Sequence, residues 1–208
     1  MKKKITALCL VVCLAVVAIA GATMAYFTDT KVNTNTFTAG KVEINLDEAK
    51  VDEYGIPVEG EDRVTENSYK LVPNHVYTKD PTVTVKGGSE DCYVRVLVTL
   101  NKLDELYALP TIDIADCFNV DADKWELAGE IKNDNEKTRT YVLNYKEVVP
   151  ASKNDTELTP VFTEVTCPNL TNEQIKTLEG LTITVTGNAI QADGFTDADA
   201  AWVAFDAK

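Results

Sequence analysis

His75 is the only histidine in the sequence, so any catalytic group built on imidazole would have to be built on it. A Ser-His-Asp or Cys-His arrangement needs a nucleophile beside the ring. Asn74-His75-Val76 lies in a turn-like stretch with no nucleophile motif near it. A zincin helix needs two histidines and a glutamate in H-E-x-x-H, which one histidine cannot supply. G-x-S-x-G, a P-loop and a dinucleotide fingerprint are absent too, and Gly87-Gly88 reads as a turn. His75 is therefore expected to be an ordinary surface or turn residue, and no catalytic residue is assigned.

Carboxylates are the remaining metal candidates. Asp113 with Asp116, Asp121 with Asp123, and Asp193, Asp197 with Asp199 could bring together the oxygen ligands that calcium takes. None has the D-x-D-x-D-G loop with its closing glutamate. The plainer expectation is that Asp121 and Asp123 solvate a loop and that Asp197 and Asp199 sit in a helix's first turn, where negative charge is favourable. No cofactor is assigned, with calcium left as the open alternative.

The strongest chemical signal is a proteolytic one at the N-terminus. Met1-Lys2-Lys3-Lys4 is basic, Ile5 to Thr28 carries no charge, and small residues lead into Tyr26-Phe27-Thr28-Asp29-Thr30. These are the n-region, h-region and exit of a secretory signal peptide. Ala25 is small enough to precede the cut, so cleavage is expected between Ala25 and Tyr26, within a residue or two. An uncleaved anchor is the alternative, because about 20 apolar residues span a bilayer. A lipoprotein is disfavoured, since Val12 is too bulky before Cys13. Three cysteines, Cys92, Cys117 and Cys167, remain after the cut. An odd number cannot form a disulfide framework. A buried thiol is expected at Cys92, and a Cys117–Cys167 pair stays open.

Several stretches resemble the TasA/camelysin family of Gram-positive bacteria. They are Ala22-Thr23-Met24-Ala25-Tyr26-Phe27-Thr28-Asp29-Thr30 with Asn35-Thr36-Phe37-Thr38-Ala39-Gly40; Lys79-Asp80-Pro81-Thr82-Val83 running on to Gly88-Ser89-Glu90-Asp91-Cys92-Tyr93-Val94-Arg95-Val96; and Ala189-Ile190-Gln191-Ala192-Asp193-Gly194-Phe195 with Ala201-Trp202. Residues 101–169 carry no such motif. The resemblance implies processing by a dedicated signal peptidase and a jelly-roll sandwich. It also implies a secreted subunit of biofilm-matrix fibres, each copy passing its N-terminal strand head-to-tail to the next, with other matrix proteins as further partners. The same resemblance carries an alternative, a camelysin-like cell-surface, metal-dependent protease. A surface adhesion domain that never polymerises is a third reading.

Those roles need a folded body and a free arm. Cleavage leaves 183 residues, enough for one domain with a real core. Formal net charge is −13, and loss of Lys2, Lys3 and Lys4 makes it −16, which argues against nucleic acid and anionic membranes as partners. The C-terminal residues carry no hydrophobic tail, so no sortase signal or stable membrane anchor is expected after cleavage. The organisation expected is a signal peptide at 1–25, an extended arm at 26–37 and a sandwich domain at 38–208. In the arm Tyr26, Phe27, Thr28, Asp29, Thr30, Val32, Thr34, Thr36 and Phe37 form the expected assembly strand, rich in β-favouring residues and free of Gly and Pro.

Period-two alternation predicts strands at Lys41–Glu48, Thr82–Lys86, Cys92–Asn101, Thr138–Val149, Pro160–Cys167 and Leu181–Gln191. Asp52–Ser68 reads as a loop. Helical turns are expected near Leu103 and over Ile112–Phe118. Thr171 and Gln174 make a capping box opening a helix to about Leu178, and Thr196-Asp197-Ala198-Asp199 starts a final helix. With about seven strands and no βαβ alternation, the fold class is all-β, an antiparallel two-sheet β-sandwich. Secretion to the extracellular matrix or cell surface follows from the leader.

Overall fold

Residues that alternate between core and solvent build the sheets of this protein. The computed structural model describes residues 40–109 and 114–207; Ala25, Tyr26 and the arm through Phe37 lie outside them. The main sheet has four strands in the order β5 (Trp125–Asn133), β6 (Thr138–Tyr145), β4 (Cys92–Leu100) and β9 (Ile183–Gln191). A second sheet orders β1 (Ile44–Asp47), β3 (Thr82–Val85) and β7 (Thr156–Glu157), and β2 (Val76–Thr78) pairs with β8 (Glu164–Thr166). Every ladder is antiparallel. The chain is an all-β sandwich with short helices in its connections.

β4 shows why the sheets face each other. Cys92, Val94, Val96, Val98 and Leu100 are all at most 3% exposed and share one face, as a period of two requires. They pack with Val83 and Val85 of β3 and with Trp125, Val161 and Phe162 in one core. Each fully buried side chain of this size contributes roughly 1.5–3 kcal/mol. Trp125 also satisfies its ring N–H, which donates to the Thr159 carbonyl at 3.0 Å.

The opposite face of β4 is covered at Arg95 by a helix. Among the described residues the α-helices are α1 (Leu103–Tyr107), α2 (Asn172–Thr177) and α3 (Ala198–Asp206), with a 3-10 turn at Ile114–Cys117. Arg95 lies 4.5 Å from the Trp202 ring and 5.1 Å from the Phe205 ring. Its guanidinium donates to both carboxylate oxygens of Asp206. A cation over two aromatic rings that also donates to both oxygens of one carboxylate is a strong local clamp.

Several expectations shift. Nine strands replace about seven among the described residues. β5 escapes a period-two reading because its register slips between Leu127 and Gly129, which breaks the alternation. The strand expected over Pro160–Cys167 shortens to β8, because Val161 and Phe162 turn into the core and Val161 N–H bonds the Pro81 carbonyl at 3.0 Å. Both sides of the capping box form at α2, with Thr171 and Gln174 bonding each other's backbone. At α3 the cap is Asp197, which accepts from Ala200 N–H at 2.9 Å, so the box-like start there is only a single cap.

Candidate functional site

Among the described residues, two strand edges on one flank of the sandwich pair with no further strand. Among the described residues β9 is bonded to β4 alone, and β1 to β3. Beyond the ends of β9 the Asn101 N–H donates to the Thr182 carbonyl and the Ala192 N–H to the Asp91 carbonyl. Alternate residues of an antiparallel strand direct their N–H and C=O to opposite neighbours. Even-numbered β9 residues therefore bond β4, while Ile183, Val185, Gly187 and Ala189 turn their backbone groups to the open side. On β1 the Glu43 carbonyl accepts from Lys86, so Val42, Ile44 and Leu46 turn outward. That edge closes at Glu48, which exchanges two 2.8 Å bonds with Val64.

The two edges face each other. A Cβ placed on Gly187 would meet Ile44 Cδ1 at 3.2 Å and Leu46 Cβ at 3.9 Å. Toward the start of β9 the sheets part into a groove of about 960 Å³. Buried Leu100, Leu106 and Leu178 line it with half-buried Leu46, Ile183 and Val185.

A polar cluster stands at the rim. Lys79 Nζ lies 2.5 Å from Glu48 Oε2, and both residues are buried, at 8% and 5% exposure. Asn67 donates to Glu48 Oε1 at 3.0 Å and to the Ala49 carbonyl at 2.8 Å. Arg63 joins Asp47 and Asp80 outside them. Burial, then the charges of Glu48 and Asp80, push the Tyr69 phenol above its ordinary range, so it stays a neutral donor to the Thr78 carbonyl at 3.3 Å.

Cys117 and Cys167 also line the groove. Burial, then the nearby Cys117, pushes the Cys167 thiol up to about 11. Burial does the same to Cys92, also to about 11, which agrees with the buried thiol expected there. Neither is a thiolate at neutral pH, and it is the thiolate that attacks. What the flank offers is backbone hydrogen-bonding groups and apolar surface for an extended chain.

The residues singled out by sequence fall elsewhere. Ala25 and Tyr26, and the arm residues Phe27, Thr28, Asp29, Thr30, Val32, Thr34, Thr36 and Phe37, lie outside the described residues. His75 is half-buried and lies between the turn at Pro73-Asn74 and β2, its Nε2 2.7 Å from the Tyr54 carbonyl and its ring edge-on to Tyr77 at 4.6 Å. The Asp121 carboxylate accepts from Asp123 N–H at 3.0 Å within its own turn. Asp197 is a helix cap, and Asp113 is outside the described residues. Among the described residues no three His, Cys, Asp or Glu side chains come together to hold a metal. The β9 edge and the Glu48–Lys79 pair went unremarked in the sequence. The signal for the edge was there, in the run from Ile183 to Gln191 without a charge or a proline.

Among the described residues no helix is long and apolar enough to cross a membrane. No curated protein and no solved structure matches the chain. The model of the camelysin metallo-endopeptidase family matches residues 1–56. That description implies a metal, and the single engaged histidine and dispersed carboxylates do not fit one among the described residues. Of the matched stretch the structure describes residues 40–56, which contain β1 and Glu48. Over its first 56 residues the chain is thus similar to the camelysin metallo-endopeptidase family, in agreement with the resemblance carried by its N-terminal motifs.

Proposed function

We propose that the chain is exported, cut after Ala25 by a dedicated signal peptidase, and assembled as a structural subunit of extracellular matrix fibres. Residues 26–37 act as an arm that each subunit passes to the next. The supporting observation is where the family match falls. It covers the leader, the arm and the edge strand β1, the parts that export and strand addition use. An extended segment can add to an open sheet edge, and head-to-tail contacts that do not close give filaments. Other matrix proteins are candidate partners of such fibres.

The test is truncation. A chain of residues 38–208 is expected to stay monomeric by sedimentation and to show no filaments by electron microscopy, under conditions where residues 26–208 form them. Filaments from the truncated chain would falsify strand donation. The printed family description also supports a second reading, a metal-dependent cell-surface peptidase. Casein cleavage by the purified protein that a chelator abolishes would establish it, and no cleavage is expected.

A further inference from the structure

We propose that Lys79 and Asn67 join through their side chains in an isopeptide bond, with Glu48 as the acid–base group and ammonia as the leaving group. The bond forms within one subunit, with or without fibres.

Three side chains able to react with one another meet at one carboxylate. Lys79 Nζ lies 2.5 Å from Glu48 Oε2, and the Asn67 carboxamide N–H donates to Glu48 Oε1 at 3.0 Å. An amine and a carboxamide thus share a single acid–base group, one on each of its oxygens. Separation and a poor leaving group normally bar amide formation between such groups, and holding the reactants together lowers that barrier. The rest of the Asn67 carboxamide is held too. Its Oδ1 accepts from the Val51 N–H at 3.1 Å, and its Nδ2 also donates to the Ala49 carbonyl at 2.8 Å. The Val51 N–H therefore points at the oxygen on which charge develops when a nucleophile adds to Cγ, which is what an oxyanion donor does.

The main chain fixes all three residues. Glu48 exchanges two 2.8 Å backbone bonds with Val64, on the same loop as Asn67, and the Lys79 N–H donates to the Thr163 carbonyl at 3.1 Å. Glu48 and Lys79 are buried, and Asn67 is half-buried. Lys79 Nζ also lies 5.8 Å from the centre of the Tyr69 ring, so one side of the amine faces an aromatic group rather than water.

The atoms balance without an outside reagent. Counted from the neutral amine, the Nζ lone pair bonds to Asn67 Cγ as Glu48 Oε2 takes a proton from Nζ. This gives a tetrahedral centre whose oxygen rests on the Val51 N–H. Glu48 then passes the proton to Nδ2, the Cγ–Nδ2 bond breaks with its electrons on nitrogen, and ammonia departs. One amine and one carboxamide become one secondary amide and one ammonia, and Glu48 ends as it began. The product ties the loop carrying Asn67 to the residues that lead into β3, a cross-link of the kind that a disulfide makes elsewhere. In the uncondensed chain this corner rests on the Glu48–Lys79 contact itself.

The test expresses the full chain in a secreting host and maps the tryptic peptides of the exported product by mass spectrometry. A branched peptide is expected that joins residues 64–70 to residues 71–86 through Asn67 and Lys79. It is lighter than its two parts by one ammonia and is uncut after Lys79. Glu48→Gln is expected to slow its accumulation at least about a hundredfold, and Lys79→Arg and Asn67→Ala to abolish it. Ring closure of Asn67 onto the Ser68 backbone nitrogen releases the same ammonia but leaves trypsin free to cut after Lys79, and that result overturns the proposal. Two linear peptides of full mass from the folded parent overturn it as well. Branching at the parent rate in folded Glu48→Gln overturns Glu48 as the acid–base group. If the variants do not fold, the peptide map of the parent alone decides whether the bond exists.

Discussion

In the uncondensed chain Lys79 Nζ meets Glu48 Oε2 at a place where neither side chain reaches much solvent. Removing one partner of such a pair leaves the other charge buried and uncompensated, which costs about 3–5 kcal/mol. Relative to that chain, Lys79→Met is expected to lower unfolding free energy by that amount in urea titration, and the double variant Glu48→Gln/Lys79→Met by clearly less. Arg95 and Asp206 behave differently because Asp206 is largely exposed. The hydrogen bonds from Arg95 hold the Asp206 carboxyl below its ordinary range. A carboxyl depressed in the folded state stabilises above its unfolded pKa of about 3.9 and loses that contribution as pH falls through the folded value. Asp206→Asn is therefore expected to be less stable than the parent at pH 7. The gap should close below about pH 4, as followed by thermal melts across pH.

At the scale of elements, α2 shows how local code can be read directly. Thr171 accepts from Gln174 N–H, and the Gln174 side chain accepts from Thr171 N–H at 2.8 Å. Thr171→Ala is expected to cost about 1 kcal/mol by chemical denaturation, with no change in β-sheet content. β4 and β9 were legible for a similar reason, since one face of each is core and the alternation survives in the sequence. β5 was not legible, because most of it is exposed and a bulge resets its phase. β2 and β7, at three and two residues, are too short to show a period. The groove could not be read at all. It is made by Leu46, Leu106, Val165 and Ile183, which lie far apart in the chain and meet only through topology. What the sequence did show of the site was chemical and linear, namely the uncharged run that became β9.

For the molecule as a whole, charge opposes association. A subunit cut after Ala25 as proposed would carry −16, and at about 0.15 M salt such fields are screened beyond roughly 8 Å. Fibre formation, followed by light scattering, is expected to speed up as sodium chloride rises from about 10 mM, where the screening length is nearly four times longer. Slower growth at higher salt would mean that attraction between charges, and not their repulsion, controls assembly. Under the head-to-tail strand donation proposed above, each subunit has one socket and one plug, so a filament is polar, with a bare socket at one tip and a bare plug at the other. A chain starting at residue 38 owns a socket but no plug. Added in trace to growing filaments, it is expected to terminate elongation at the plug tip while the socket tip continues, halving growth to one direction in time-lapse imaging. An edge that accepts one strand thus becomes a rule about which end of a polymer can be stopped.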